Sequence, residues 1–259
     1  MNTLKNKTAL ITGGTTGIGL ATAALFLREG ARIVISGRRE TEGQKAQAML
    51  REISPDVYFI AADVSQAQDV GQLVSQTVSL FGSLDIAFNN AGIEGRFVPI
   101  GEAAEADYDQ VMDINLKGVW LSCKYEIAQF KKQGIGGVIV NTSSWLARGA
   151  FAGSAIYSAS KAAVDGLARA LAVECTPQGI RINNIQPGYI ETPMFDRFFT
   201  PETLTDAKAA LSRHAPIGRL GSPDEVAAAV LWLASPASSF ISGESILVDG
   251  GLAIGGQRL

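Results

Sequence analysis

From Thr12 the chain reads T-G-G-T-T-G-I-G, between the apolar run Thr8–Thr12 (T-A-L-I-T) and the helix-forming stretch L-A-T-A-A-L-F-L-R. A β-branched run, a glycine turn and a helix in direct succession constrain the fold strongly, because the helix must pack back on its own strand. The glycines are spaced G-x-x-x-G-x-G, at Gly13, Gly17 and Gly19. Small residues here let the backbone approach a ligand and let the helix lie close to the strand. A helix N-terminus with bare backbone N–H groups suits an anion, and this arrangement predicts a dinucleotide pyrophosphate site.

The rest of the chain repeats that alternation. Apolar, β-rich runs occur at 8–12, 32–36, 57–61, 84–89, 137–142, 181–186 and 245–248. Stretches of helical composition lie between them, at 67–80, 106–133, 155–174 and 223–234. Strands that are apolar on both faces and separated by helices predict a parallel sheet covered on both sides. The expected fold is therefore α/β, a doubly wound sheet of about seven parallel strands. No composition shift or long linker divides residues 1–259, so one domain is expected.

In such sheets ligands bind beyond the carboxyl ends of the strands. The polar and glycine residues gather there: Asp63-Val64, Asn89-Asn90-Ala91-Gly92, Ser143-Ser144 and Pro187-Gly188. Farther on, Y-S-A-S-K sets Tyr157 and Lys161 four residues apart, on one helix face. An ammonium beside a phenol favours phenolate, so the Tyr157 pKa is expected to fall and the ring oxygen to exchange a proton near neutral pH.

Composition excludes several functions. A formal net charge of −3, with no basic cluster longer than Arg38-Arg39 or Lys131-Lys132, argues against a nucleic-acid surface. One histidine, His214, and no Cys/His cluster exclude a histidine-rich metal site, and His214 reads as a loop residue near the substrate segments. Cys123 and Cys175 lie far apart in helix-like stretches and read as structural thiols in a reducing compartment. No apolar run approaches the ~20 residues of a membrane span, and no signal peptide is evident, so a cytoplasmic protein is expected.

Taken together, T-G-G-T-T-G-I-G, N-N-A-G at 89–92, Asn115 in D-I-N-L-K-G, the serine pair at 143–144, Y-S-A-S-K and P-G-Y-I-E-T at 187–192 resemble the short-chain dehydrogenases/reductases. The resemblance spans almost the whole chain, in order and spacing. It implies a Rossmann-like sheet, a nicotinamide cofactor and hydride transfer between a ketone and a secondary alcohol. By the family's thirteen-residue spacing to the tyrosine, Ser144 rather than Ser143 is the active-site serine, hydrogen-bonding the substrate oxygen. The resemblance implies that Tyr157 transfers the proton, that Lys161 holds the cofactor ribose and lowers the phenol pKa, and that Asn115 kinks its helix and holds a relaying water. The resemblance also implies cofactor contacts at Gly13, Thr16, Gly17, Ile18, Gly19, Asp63, Val64, Asn89, Ala91, Gly92, Pro187, Gly188, Ile190 and Thr192. Asp249 in V-D-G-G is assigned a structural or interface role. Relatives are commonly homotetramers that pair the helices around 106–133 and 155–174, with further contacts near the C-terminus, where the tail G-G-L-A-I-G-G fits an interface.

The end of the second strand bears on the choice between NAD(H) and NADP(H). An acid there would hydrogen-bond the 2′-hydroxyl and repel a 2′-phosphate. This chain has Gly37 there, followed by Arg38 and Arg39, while Glu40 opens the next helix. Guanidinium groups grip phosphate through paired hydrogen bonds, so NADP(H) is favoured, with NAD(H) the alternative. Thr16 departs from the basic residue that some NADP-using relatives carry before Gly17.

Substrate contacts are expected from Trp145 through Ser154, from 94–97 and from a lid near 194–214. Trp145, Phe151, Phe195, Phe198 and Phe199, beside Ser144 and Tyr157, suggest a bulky or cyclic apolar ketone or alcohol. Arg96 and Arg148 leave an anionic substrate open. The rival readings are a 3-oxoacyl thioester reductase and a non-catalytic NADP-binding sensor.

Overall fold

The computed structural model describes residues 2–255, so the final residue of the G-G-L-A-I-G-G tail, Gly256, lies outside the described part. In chain order the elements are β1 (Thr8–Thr12), α1 (Gly17–Arg28), β2 (Arg32–Gly37), α2 (Glu40–Arg51), β3 (Val57–Ala61), α3 (Ala67–Phe81), β4 (Ile86–Asn89) and α4 (Glu105–Met112). There follow α5 (Gly118–Gln133), β5 (Gly137–Thr142), α6 (Ala155–Cys175), β6 (Ile180–Pro187), α7 (Pro193–Asp196), α8 (Pro201–Ser212), α9 (Pro223–Ala234) and β7 (Ser245–Val248). The seven strands form one sheet in the order β3-β2-β1-β4-β5-β6-β7, and every pairing is parallel. Strand order reverses between β1 and β4, and a crevice opens at such a switch point.

Alternation along single strands builds the two cores. On β2, Ile33 and Ile35 join Phe26, Phe88, Val226 and Val230 on one face. Val34 between them joins Leu10, Leu73, Phe130, Ile139 and Val164 on the other. Each such side chain contributes about 1.5–3 kcal/mol on burial, which is why these strands read as continuous apolar runs.

Two elements differ from expectation by more than one residue at an end. The fourth strand starts at Ile86 rather than at 84, because Asp85 turns its carboxylate to Lys7 Nζ (3.0 Å) and the Thr8 amide (2.9 Å). The long helix expected over 106–133 is interrupted by a π turn at Asp113–Lys117, between α4 and α5. Cys123 and Cys175 are buried free thiols. No helix among the described residues is long and apolar enough to cross a membrane.

Candidate active site

The β1–α1 turn is shaped by backbone. Gly13 and Gly17 have φ of +63° and +53°, a region that side chains disfavour. A Cβ on Gly19 would lie 2.2 Å from Gly13 O, so only glycine lets α1 start this close to the turn. Thr16 precedes the helix without a side-chain capping bond, leaving the first-turn N–H groups of α1 for a ligand. This cradle fits a pyrophosphate. It opens into one cleft of about 1010 Å³ along the carboxyl edge of the sheet, large enough for a dinucleotide and a small substrate.

Most of the residues expected to hold a cofactor line that cleft. They include Gly13, Thr16, Gly17, Ile18, Arg38, Arg39, Asp63, Val64, Ala91, Gly92, Pro187, Gly188, Ile190 and Thr192. Arg38 and Arg39 are exposed at its mouth, and Glu40 begins α2. Asp63 Oδ1 accepts from the Ser65 amide (2.9 Å) and hydroxyl (2.8 Å). Two expected residues lie behind the wall. Gly19 is buried against the turn, and Asn89 is fully inside the sheet, its amide bonded to Glu126 and Asn141. Asn90 takes the lining position, with Nδ2 donating to Gly13 O (3.1 Å) and Oδ1 accepting from Thr142 Oγ1 (3.1 Å). Side-chain alternation along the strand end moves the inward and outward asparagines to opposite environments.

Ser144, Tyr157 and Lys161 meet at the cleft floor. Ser144 follows β5, and α6 carries the other two residues one turn apart. Lys161 Nζ donates to Thr142 O (2.8 Å) and lies 5.7 Å from the Tyr157 ring centre. Asn115 stands behind them in the π turn, where the extra residue per turn swings its side chain inward. Its Oδ1 accepts from the Ile93 amide (2.8 Å) and its Nδ2 donates to Ile93 O (2.9 Å) and Ser160 Oγ (3.3 Å). A Cβ on Gly92 would approach both Asn115 Oδ1 (3.2 Å) and Lys161 Nζ (3.6 Å), so these two groups flank one small gap.

Electrostatics corrects one expectation. Instead of falling beside Lys161, the Tyr157 pKa is pushed up to about 12, chiefly by burial. The hydrogen bond with Ser144 pulls it down, and the Glu94 charge pushes it up. The same burial draws Lys161 down to about 8, against the opposing pull of Asp165. Desolvation thus dominates both groups, raising the phenol and lowering the ammonium.

The substrate end is walled by rings. Phe97 packs edge-on against Tyr157 (5.8 Å) and Phe151 (5.2 Å) and stacks on Phe198 (5.0 Å, 13° between planes). Trp145 meets Tyr189 edge-on (5.5 Å), and Tyr189 neighbours Phe195 and His214. The segment beyond 193 forms α7 and α8 and roofs this chamber. Arg197 grips Glu94 with Nε and Nη2, both at 2.9 Å, joining that roof to the loop after β4. Arg96 pairs with Asp107 (3.3 Å) and Arg148 donates to Ser245 O (2.9 Å), and neither lines the cleft. Asp249 holds the turn after β7, accepting from the Gly251 and Ala253 amides. Tyr189 and Asn90 also line the cleft, and their only local signal is their place inside P-G-Y-I-E-T and N-N-A-G. Spacing alone did not say which motif side chains face the cleft.

Comparison with known proteins agrees with this geometry. Residues 13–253 match a family model described as enoyl-(acyl carrier protein) reductase. A cyclohexanol dehydrogenase of an Acinetobacter species is 37% identical over 249 residues, covering 96% of each chain. The crystal structure of levodione reductase superposes with a TM-score of 0.93 at 36% identity, covering 97% of this chain and 99% of that one. A short-chain type dehydrogenase/reductase from Mycobacterium marinum gives 0.90 at 33% identity, with 96% of both chains covered. The chain therefore belongs to the short-chain dehydrogenases/reductases, oxidoreductases that act on CH–OH groups with a nicotinamide cofactor.

Proposed function

We propose that this enzyme interconverts a bulky or cyclic apolar ketone and its secondary alcohol, with NADP(H) as the favoured cofactor and NAD(H) the alternative. The observation that carries the reading is the edge-on contact of Phe97 with Tyr157, with Phe151 and Phe198 packed on Phe97 and lining the same cleft as Ser144. Arg197, on the roof of the chamber, is paired with Glu94, and Arg96 and Arg148 are turned to other partners. An apolar, uncharged substrate suits such a chamber better than a sugar phosphate or a carboxylate. The cyclohexanol dehydrogenase among the relatives agrees with a ring-sized alcohol.

A bound nicotinamide would supply or accept the hydride. The chain supplies the rest. The glycine turn and the α1 N-terminus would hold the pyrophosphate, and Arg38 and Arg39 at the mouth would meet a 2′-phosphate. Ser144 would donate a hydrogen bond to the substrate oxygen and Tyr157 would protonate it as the alkoxide forms. Lys161 spends one N–H on Thr142 O and keeps two for the cofactor ribose. With its pKa near 12, Tyr157 is loaded with its proton at neutral pH, which favours the reductive direction there and puts alcohol oxidation at higher pH.

The test is a panel of cyclic ketones, open-chain keto-esters, acyl thioesters and sugars, each assayed with NADPH and with NADH. Expected is the highest kcat/KM on cyclic ketones with NADPH. Turnover confined to sugars or thioesters would refute the apolar chamber, and a strong preference for NADH would refute the role of Arg38 and Arg39.

A further inference from the structure

The roof of the substrate chamber is tied to the loop after β4 at two neighbouring points. Arg197 Nε and Nη2 donate to Glu94 Oε1 and Oε2, both at 2.9 Å, in a fork that fixes the guanidinium plane. Phe198, the residue after Arg197, stacks on Phe97 (5.0 Å), and Phe97 in turn meets the Tyr157 ring edge-on (5.8 Å). The ion pair and the ring stack thus join the same two segments beside the reacting phenol. Both members of the pair line the cleft.

A gain in stability does not account for the pair. The Arg197 side chain is 55% exposed and that of Glu94 19%, and an ion pair so open to solvent contributes little to folding. Its bearing on a bound substrate is more direct. The other charged groups of the cleft lining stand elsewhere: Arg38, Arg39 and Asp63 at the expected cofactor end, and Lys161 on the floor, donating to Thr142 O. Lys208 meets Asp196 (3.3 Å) and Glu191 (3.7 Å) on the roof, outside the lining. Among the described residues, Glu94 and Arg197 are therefore the opposed charges on the chamber wall. Forked together they cancel. Neutralising the carboxylate would leave a cation on that wall, and neutralising the guanidinium would leave an anion.

We propose that Glu94 and Arg197 are specificity-determining residues that set the charge preference of the enzyme. As a pair they present a neutral wall and favour an uncharged ring. When either one loses its charge, the other selects a substrate of opposite sign. The proposal deepens the reading of the chamber as the site of a cyclic ketone and rests on it. Binding is therefore measured apart from turnover, so that the two can fail separately.

The probes are three cyclohexanones of one ring size, bearing at the far ring carbon no charge, a carboxylate or an ammonium group. Their affinities for the enzyme saturated with oxidised cofactor, where no hydride is available, are measured by calorimetry. Wild type is expected to bind the uncharged ketone best. Glu94→Gln keeps an acceptor for Arg197 but removes the negative charge. Its affinity for the carboxylate ketone, relative to the uncharged one, should rise about fivefold, the effect of one unit charge ~4 Å away in water. Arg197→Gln keeps a donor for Glu94, and the gain should pass to the ammonium ketone by about the same factor. Opposite responses in the two variants are the signature of charge selection, which a clasp that merely holds the roof would not give. An equal loss for all three ketones in both variants would overturn the proposal, as would unchanged selectivity or no binding of any ketone. If the uncharged ketone binds but is not reduced when NADPH or NADH is supplied, the assigned reaction fails, while the shifts in affinity still decide the role of the pair.

Discussion

On the β1–β4 side of the cleft the ligand-facing surface is largely backbone, whereas on the β5–β7 side it is side chain. The first half depends on what is absent: Cβ atoms at Gly13, Gly17 and Gly19 would strike Ala91, Thr192 and Gly13 O. The second depends on what is present, namely the hydroxyls, the ammonium and the rings that line the cleft beside Tyr157. A backbone cradle accepts any dinucleotide of the right shape, while the side-chain half chooses chemistry and substrate. The two halves should therefore respond differently to substitution, binding on one side and turnover on the other.

The largest effect is expected on the side-chain half. Tyr157→Phe removes the proton donor and should lower kcat for reduction by about 10²–10⁴-fold. NADPH affinity, read by fluorescence titration, should change less than about twofold, since the ring and its packing remain. Equal losses of binding and turnover would break the comparison. Next is Gly19→Ala, whose methyl would sit 2.2 Å from Gly13 O. Overpacking of about 1–3 kcal/mol at that turn should weaken NADPH binding by about 10–100-fold, with the Tyr157 chemistry intact at saturating cofactor.

Phe97→Ala sharpens the division within the side-chain half. It removes the ring that touches Tyr157, Phe151 and Phe198 at once. The KM for a cyclic ketone should rise about tenfold, equivalent to ~1.4 kcal/mol, while NADPH binding is unaffected. The smallest effect lies beneath the floor, at Glu126. Burial raises its pKa from 4.5 to about 8, so the folded state carries a proton there that the unfolded chain has lost. Folding gains most below the unfolded value, and that gain declines as pH rises toward the folded value. Glu126→Gln cannot titrate, so its Tm relative to the wild type should climb by several degrees between pH 5 and pH 9. A Tm difference independent of pH would show that Glu126 titrates alike in both states.

Legibility followed the same division. The glycine spacing, the strand runs and Y-S-A-S-K placed the cradle and the Tyr157–Lys161 pair, because steric need and helical spacing are local and leave local marks, whereas Ser144 was chosen over Ser143 only by resemblance. Asn89 and Asn90 were read as one segment, yet one is bonded inside the sheet and the other lines the cleft. That division depends on which face of β4 each residue meets. The break at Asn115 was implied only by resemblance, since nothing in the composition of 106–133 marks a π turn. Tyr157 was expected to be acidified by its neighbour, but burial prevailed, and burial comes from distant segments such as the loop with Phe97.

The sequence by itself determined the alternation of strands and helices, the anion-binding turn and the residue types that can move a proton. Each of these follows from periodicity, from glycine or from four-residue spacing along one stretch of chain. Tertiary structure decided how many hydrogen-bond donors each buried carboxylate meets. Asp165 and Glu126 look alike in a string of letters, and they differ only in how many donors β4 to β7 bring to each. Desolvation and hydrogen bonding are properties of the assembled interior, so the local sequence carries no record of them.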